Sequence, residues 1–283
     1  MTIFKTRVLF IISITLLLGA CSLKTVYNQL DYLIPSYVEG MVSLDDILEE
    51  KVEQRAGALV SWHRNTQLTQ YAELLRSFQQ DLESPLNEQR VLQHMAAIQL
   101  LWPPLEKKLN KEMADLLPLL NNEQREELFE SIDDKNEDYY DERVDLDKDE
   151  RFDKYVETTL ESYENWLGDL SEEQERAIEN AATKLNSSAA LRLEQRRLWQ
   201  RNIQDILNSE DTKEIKSQRL QQFFKQFNIN KQPQIKAVSD ANKKVIARLT
   251  VTIINQASAE QKTFFKNKSD EYIRIFTELA ENR

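Results

Sequence analysis

From Ser43 onward the chain places an apolar side chain at every third or fourth position. Leu44, Ile47, Leu48, Val52, Ala56 and Leu59 begin the series, and Tyr71, Leu74, Leu75, Phe78 and Leu82 continue it past a weak point near Gln67. A stripe of this period is the buried face of an amphipathic helix. The stretch predicts one helix of about 40 residues, roughly 60 Å long at 1.5 Å per residue, or two with a kink between them. Ser84-Pro85 starts the next helix, with Pro in the favoured first turn; Val91, Met95, Ile98 and Trp102 follow before Pro103-Pro104 stop it. A short helix carries Leu105, Leu109, Met113 and Leu116 as far as Pro118. Leu128, Phe129 and Ile132 mark a helix from Asn122 to about Val144, and Phe152, Val156, Leu160, Tyr163 and Trp166 mark another that ends on Gly168 as its C-cap. Ser171 opens a long helix to about Asn208, and Ile215 to Phe227 forms the next. After a loop at 228–232, Pro233 begins a helix that keeps its 3–4 period through the β-branched run Thr250 to Ile254, and a last helix covers Ala259 to Ala280. The expectation is an all-α, elongated multi-helix bundle of about eight to ten helices, several of them long.

The first 22 residues follow a different pattern. Lys5 and Arg7 precede an apolar run from Val8 to Leu18, broken by Ser13 and Thr15, and Leu18-Gly19-Ala20-Cys21-Ser22 ends it. A basic start, a short apolar segment and small residues before a cut are the parts of a secretory signal, and the run is about half of what a membrane span needs. Leu-Gly-Ala-Cys resembles the lipobox of bacterial lipoproteins. That resemblance implies cleavage between Ala20 and Cys21, acylation of Cys21 with palmitate-type chains, and a lipid bilayer as the partner of the mature N-terminus. Ser22, where Asp would signal retention in the inner membrane, implies the outer membrane, with the protein facing the periplasm. The expected organisation is a signal peptide at 1–20, a lipidated tether with a short helix at 21–42, and an all-α domain at 43–283. A division into two lobes near 133–151 is the alternative.

Composition narrows the function classes. The chain has a net charge of −11, which becomes −13 once removal of 1–20 takes away Lys5, Arg7 and no acid. Such a balance argues against nucleic acid as a partner, because binding it needs a basic footprint. Cys21 is the only cysteine, so disulfides, thiolate metal sites and Cys nucleophiles are excluded. Four glycines in all leave no phosphate-cradling loop and no nucleophile elbow. No cofactor is expected beyond the covalent lipid on Cys21.

Three helix starts share one pattern: Asn121-Asn122-Glu123-Gln124, Ser171-Glu172-Glu173-Gln174 and Ser258-Ala259-Glu260-Gln261. A small polar residue caps the helix and a Gln three residues on reaches back to the cap, which is a capping box; Ser84 to Gln89 is a looser relative. The spacing between these glutamines is 50 and then 87, so no fixed-period solenoid is present. The L-[ST]-x-x-Q form also resembles the motif of the LTxxQ periplasmic stress chaperones, which are all-α and free of cofactors. A second resemblance is broader. Tyr27-Asn28-Gln29-Leu30-Asp31 after the lipobox, Trp62-His63-Arg64 on the first long helix and the repeated x-x-Glu-Gln starts are together similar to an uncharacterised family of proteobacterial lipoproteins. It implies the anchor and the all-α fold and brings no activity with it.

His63 is the residue with the most chemistry on offer. It lies on an apolar helix face between Trp62 and Arg64, where an imidazole serves as acid, base or ligand, or is simply hydrogen-bonded into the core. Arg64 is expected to hold Tyr27, Asn28 or Asp31 of the membrane-proximal segment onto the bundle. His94 is the only other histidine, and no H-E-x-x-H spacing occurs, so zinc is poorly supported. The tract from Asp133 to Asp153 holds eleven acids and four bases. Asp145, Asp147 and Asp149 alternate as at the start of a calcium loop, but Glu150 stands where the turn needs Gly and Val156 where a bidentate Glu is required. The tract therefore reads as a solvated acidic face. Phe223, Phe224, Phe227, Phe264, Phe265 and Phe276 sit on helical stripes and are expected in the core. The sequence points to a non-enzymatic protein-binding, scaffold or chaperone-like envelope lipoprotein with a protein or peptide partner. The alternative is an envelope enzyme or metal-binding protein using His63 with nearby carboxylates.

Overall fold

A computed structural model describes residues 20–228 and 232–281, apart from the side chains of residues 20–22. The expected signal peptide and the modification of Cys21 lie outside the described residues. Among the described residues there are thirteen α-helices and no strand, so the chain is an all-α bundle with more breaks than the apolar pattern suggested. The helices are α1 (Ala20–Tyr27), α2 (Leu30–Glu39), α3 (Asp46–Thr66), α4 (Leu68–Asp81), α5 (Glu88–Leu100), α6 (Trp102–Leu116) and α7 (Asn122–Tyr139), followed by α8 (Lys148–Leu167), α9 (Glu172–Ala182), α10 (Ala189–Asn208), α11 (Lys213–Gln226), α12 (Pro233–Asn255) and α13 (Ala259–Glu281).

The extra breaks have local causes. The first long stretch is two helices, parted at Gln67, where Thr66 Oγ1 donates to the Trp62 carbonyl and Gln70 Nε2 donates to the Thr66 carbonyl. Side chains here occupy carbonyls that a continuous ladder would use. The helix expected from Ser171 to Asn208 is also two, α9 and α10. Its gap is held by Asn186, whose backbone N–H donates to Asn242 Oδ1 at 3.0 Å and whose carbonyl accepts from Asn242 Nδ2 at 2.8 Å. The next correction is at Ser84-Pro85, which precedes α5 instead of opening it. Asn87 is the cap, accepting from the Arg90 N–H, while Leu86 pairs through both backbone groups with the Asn255 side chain. α8 starts at Lys148, four residues before Phe152, because Asp147 and Glu150 form a full capping box. Gly168 is the expected C-cap, with φ 75°, and Thr250 to Ile254 are helical as read.

Packing separates into clusters. Ala114, Phe129, Ile203, Leu207, Leu220 and Phe224 join α6, α7, α10 and α11. Leu167, Ile178, Leu249 and Ile253 join α8, α9 and α12. Tyr27, Val60, Leu68, Ile275 and Leu279 bring α1 onto α3, α4 and α13, so the two ends of the described chain meet. Of the six phenylalanines expected inside, Phe224 is buried and Phe264 is 44 % exposed. The Phe264 ring lies over Gly168, where an added Cβ would touch it at 3.6 Å.

The three Glu-Gln starts turn out to do more than cap. Each of these glutamines is buried and accepts from its own cap's backbone N–H. Gln124 Nε2 then donates to the Ser43 carbonyl at 3.0 Å. Gln174 and Gln261 face each other, each amide donating to the other's oxygen at 3.1 and 2.9 Å. Their remaining N–H groups donate to the Ile253 and Asp169 carbonyls. Two helix starts 87 residues apart are thereby tied into one closed polar unit in which both amides are fully used.

Candidate functional site

The break at Gln67 turns α4 so that Tyr71 faces back towards α3, and α1 lies across the same place. Three rings meet there. The Tyr27 hydroxyl is 2.8 Å from His63 Nδ1, and the Tyr71 hydroxyl is 2.9 Å from His63 Nε2. Whichever nitrogen carries the proton, both are engaged by phenols. Trp62 and Phe276 extend the ring contacts, at 6.4 Å from His63 and 5.7 Å from Tyr71. Arg64 reaches Asn28 Oδ1 at 3.1 Å and holds its guanidinium 5.4 Å from the centre of the Tyr27 ring. Lys24 and Glu278 pair at 2.7 Å on the same side. Asn28, Asp31, Ser61, Arg64 and Asn65 line an open depression of about 750 Å³ beside this cluster. The residues read together from sequence, Tyr27, Asn28, Asp31, His63 and Arg64, are therefore neighbours in space. Trp62 touches the edge of His63 and also carries Lys108, which lies 5.5 Å from its ring centre.

Burial sets the electrostatics of the cluster. Tyr27 is raised from 10.0 to about 12, mostly by desolvation, with Arg64 working against the shift and Tyr71 adding to it. Burial raises Tyr71 as well and lowers His63 below its ordinary 6.5. The imidazole is thus kept neutral between two neutral phenols. The partners of His63 are these hydroxyls and not a carboxylate, and the lone pair that would bind a metal is used by a hydrogen bond.

A pH dependence follows. Below about pH 6.5 the unfolded chain takes up a proton on His63 that the folded chain resists, so this group's contribution favours folding above that pH and is lost as pH falls towards the lowered folded value. Urea midpoints measured at about pH 7.5 and 5.5 should differ less in His63→Gln than in the unchanged protein. Equal differences in the two proteins would remove His63 from the acid response.

The acidic tract carries a structural task. Asp147 accepts from the N–H groups of Asp149 and Glu150, and the Asp145 N–H closes a π-turn on the Tyr140 carbonyl. Among the described residues no group of three or more His, Cys, Asp or Glu side chains is arranged to hold a metal ion.

A second polar cluster was not singled out in the sequence. Asp81, at the end of α4, accepts from Arg90 Nε at 2.6 Å and contacts His94 Nε2, and the Phe78 ring stacks edge-on to His94 at 4.3 Å. Burial alone would raise Asp81, but its hydrogen bonds to Arg90 and His94 outweigh that and hold it below the usual carboxylate value. Asp81 and His94 border a mainly apolar cavity of about 680 Å³. Nothing in the spacing of Asp81, Arg90 and His94 marks them, because the turn between α4 and α5 brings them together.

No curated protein matches the chain. No solved structure matches it either. The sequence model of a family of unknown function, DUF6279, matches residues 41–228. That stretch takes in Trp62, His63, Arg64, the Asp81 cluster and the acidic tract. With roughly two thirds of its 283 residues inside the match, the chain belongs to this family of unknown function, DUF6279.

Proposed function

We propose that the protein is a lipoprotein anchored in the outer membrane through acylated Cys21, facing the periplasm, and that it acts there as a non-enzymatic binding protein of the scaffold or chaperone-like kind. The observation that carries this reading is the fastening of α1. The helix that begins at the anchor position is held by Tyr27 on His63, by Asn28 on Arg64 and by Lys24 on Glu278. Three attachments to α3 and α13 make the anchored segment part of the bundle, and a bundle fixed close to its anchor presents the same surfaces to the periplasm at all times. His63, the residue best suited to acid–base chemistry, is spent on this fastening. A largely apolar cavity bordered by α4, α5, α8 and α12 supplies a surface for binding.

The test of the binding half uses protein carrying Cys21→Ser. Added at stoichiometric excess to reduced, aggregating insulin chains, it should delay the rise in light scattering. No delay at that excess would remove the chaperone-like reading. The anchor is tested separately, as set out in the Discussion.

A further inference from the structure

The turn between α10 and α11 faces the start of α7 across a mainly polar recess, lined by Arg125, Glu126, Gln204, Glu210, Asp211 and Lys216. Lys216 is the innermost of these, only 9 % exposed. Its place follows from α11. Lys216, Leu220 and Phe224 stand four residues apart on one face of that helix, and Leu220 and Phe224 belong to a buried cluster, so Lys216 is carried inward on the same stripe. A lysine stem packs readily against apolar neighbours, but its ammonium then needs water or an anion.

Within the fold nothing takes that ammonium. Among the described residues Lys216 Nζ has no hydrogen-bond acceptor and no ion pair. Asp211 is the carboxylate it acts on, but Asp211 Oδ2 already accepts from Arg219 and from Ser209 Oγ, the latter at 3.0 Å. Those two hydrogen bonds are the main reason the Asp211 carboxyl is held below its usual value, and the field of Lys216 is a minor one. Arg125 is also without a carboxylate among the described residues. Its Nη1 donates to the Leu120 carbonyl at 3.3 Å, its Nη2 donates to Asn122 Oδ1, and its Nε is buried with no acceptor. The fold thus assigns no anion to either cation, and a buried charge left uncompensated is unfavourable.

The outer side of the recess has the opposite sign. Glu126 and Glu210 are exposed and form no ion pair among the described residues. A simple anion would meet these carboxylates on its way to Lys216, on a chain whose net charge is −11. A simple cation would suit Glu126 and Glu210 and leave the buried ammonium as it is. A molecule that carries both a carboxylate and an ammonium answers the inner and the outer charges together. Gln204, whose half-buried amide has no partner among the described residues, adds one neutral donor and acceptor.

We infer that this recess is a binding site for a small zwitterion of the amino-acid type, its carboxylate received by Lys216 and Arg125 and its ammonium by Glu126 and Glu210. The site shares no residue with the apolar cavity or with the His63 cluster, and it stands or falls independently of the function proposed above.

The probe is glycine, titrated into the nitrogen-15-labelled full chain in a neutral maltoside detergent and followed by the backbone amide resonances. Saturable shifts are expected at 209–216 and 122–126. N-acetylglycine lacks the ammonium charge and glycinamide lacks the carboxylate, and each should bind at least about tenfold more weakly than glycine. Lys216→Met keeps the stem and removes the charge. It should weaken glycine by at least about tenfold while leaving the melting temperature without glycine no lower, because no partner is lost. Glu126→Gln combined with Glu210→Gln, both at exposed positions, should weaken glycine and leave N-acetylglycine unchanged, and this variant decides if Lys216→Met fails to fold. Absence of shifts at 209–216, or shifts that persist in the folded variants, would overturn the inference. So would N-acetylglycine binding as well as glycine, which would make the recess a receptor for the carboxyl end of a peptide, or inorganic phosphate binding as well, which would make it a general anion site.

Discussion

Gln174→Leu is expected to lower the folding stability by about 3–5 kcal/mol, the loss of a buried network and not of one hydrogen bond. Gln174 is fully buried, accepts from the Ser171 N–H and the Gln261 amide, and donates to the Ile253 carbonyl and to Gln261 Oε1. Leucine fills a similar volume, so the change leaves little cavity. It does strand the Ser171 N–H, the Ile253 carbonyl and half of the Gln261 amide, and each buried polar group left alone costs about 1–3 kcal/mol. Gln261→Leu should cost a comparable amount for the mirror-image reason. The double variant should be less destabilised than the two single changes added together, because removing both amides leaves neither facing an apolar side chain. Urea unfolding monitored by far-ultraviolet circular dichroism reads all three. A loss under about 1 kcal/mol for Gln174→Leu would mean that water replaces the amide and that the pair does not lock α9 to α13.

The second large effect is on location. Cys21→Ser should move the protein from the membrane fraction to the soluble fraction, by more than about tenfold, since each buried acyl methylene contributes ~0.8 kcal/mol and serine offers no thiol to acylate. Among the described residues no helix is long and apolar enough to cross a membrane, and a net charge of −11 is repelled by an anionic lipid surface. The fastening of α1 runs through Lys24, Tyr27 and Asn28, so the melting temperature of the released protein should be unchanged. Retention of Cys21→Ser on membranes would sink the anchor. Release accompanied by unfolding would mean that the anchor, and not the contacts of Tyr27 and Lys24, keeps α1 on the bundle.

Much of the fold was legible from period alone, because a helix that buries one face must repeat its apolar residues at 3–4 spacing wherever it packs. The breaks were less legible. At Gln67 the pattern weakens, and a kink could be read there. At Thr183 to Ser188 the pattern does not weaken enough, since what holds the gap open is Asn242, 56 residues away from Asn186. For the site, Tyr27, Asn28, Asp31, His63 and Arg64 were singled out as residues, and Arg64 was expected on the membrane-proximal segment. Tyr71 went unnoticed as the second partner of His63, since it looked like one more apolar stripe residue on α4. Asp81 and His94 lie 13 residues apart on two different helices, a spacing without meaning until the turn between them is drawn.

By itself, the sequence determined what is local. Helical class, the capping boxes at Asn121, Ser171 and Ser258, the C-cap at Gly168 and the lipobox-like Cys21 each depend on side chains within about four residues of one another, and that range is set by the helix hydrogen bond. The tertiary structure alone decided what those pieces join. It made two capping glutamines into one closed unit, gave His63 two phenols instead of a carboxylate, and left a mainly apolar cavity bordered by α4, α5, α8 and α12. Apart from Tyr71, eight positions from His63 but on the next helix, the partners lie 36 and 87 positions apart, brought together by the burial of apolar faces, and no periodicity along a single chain records which faces will meet.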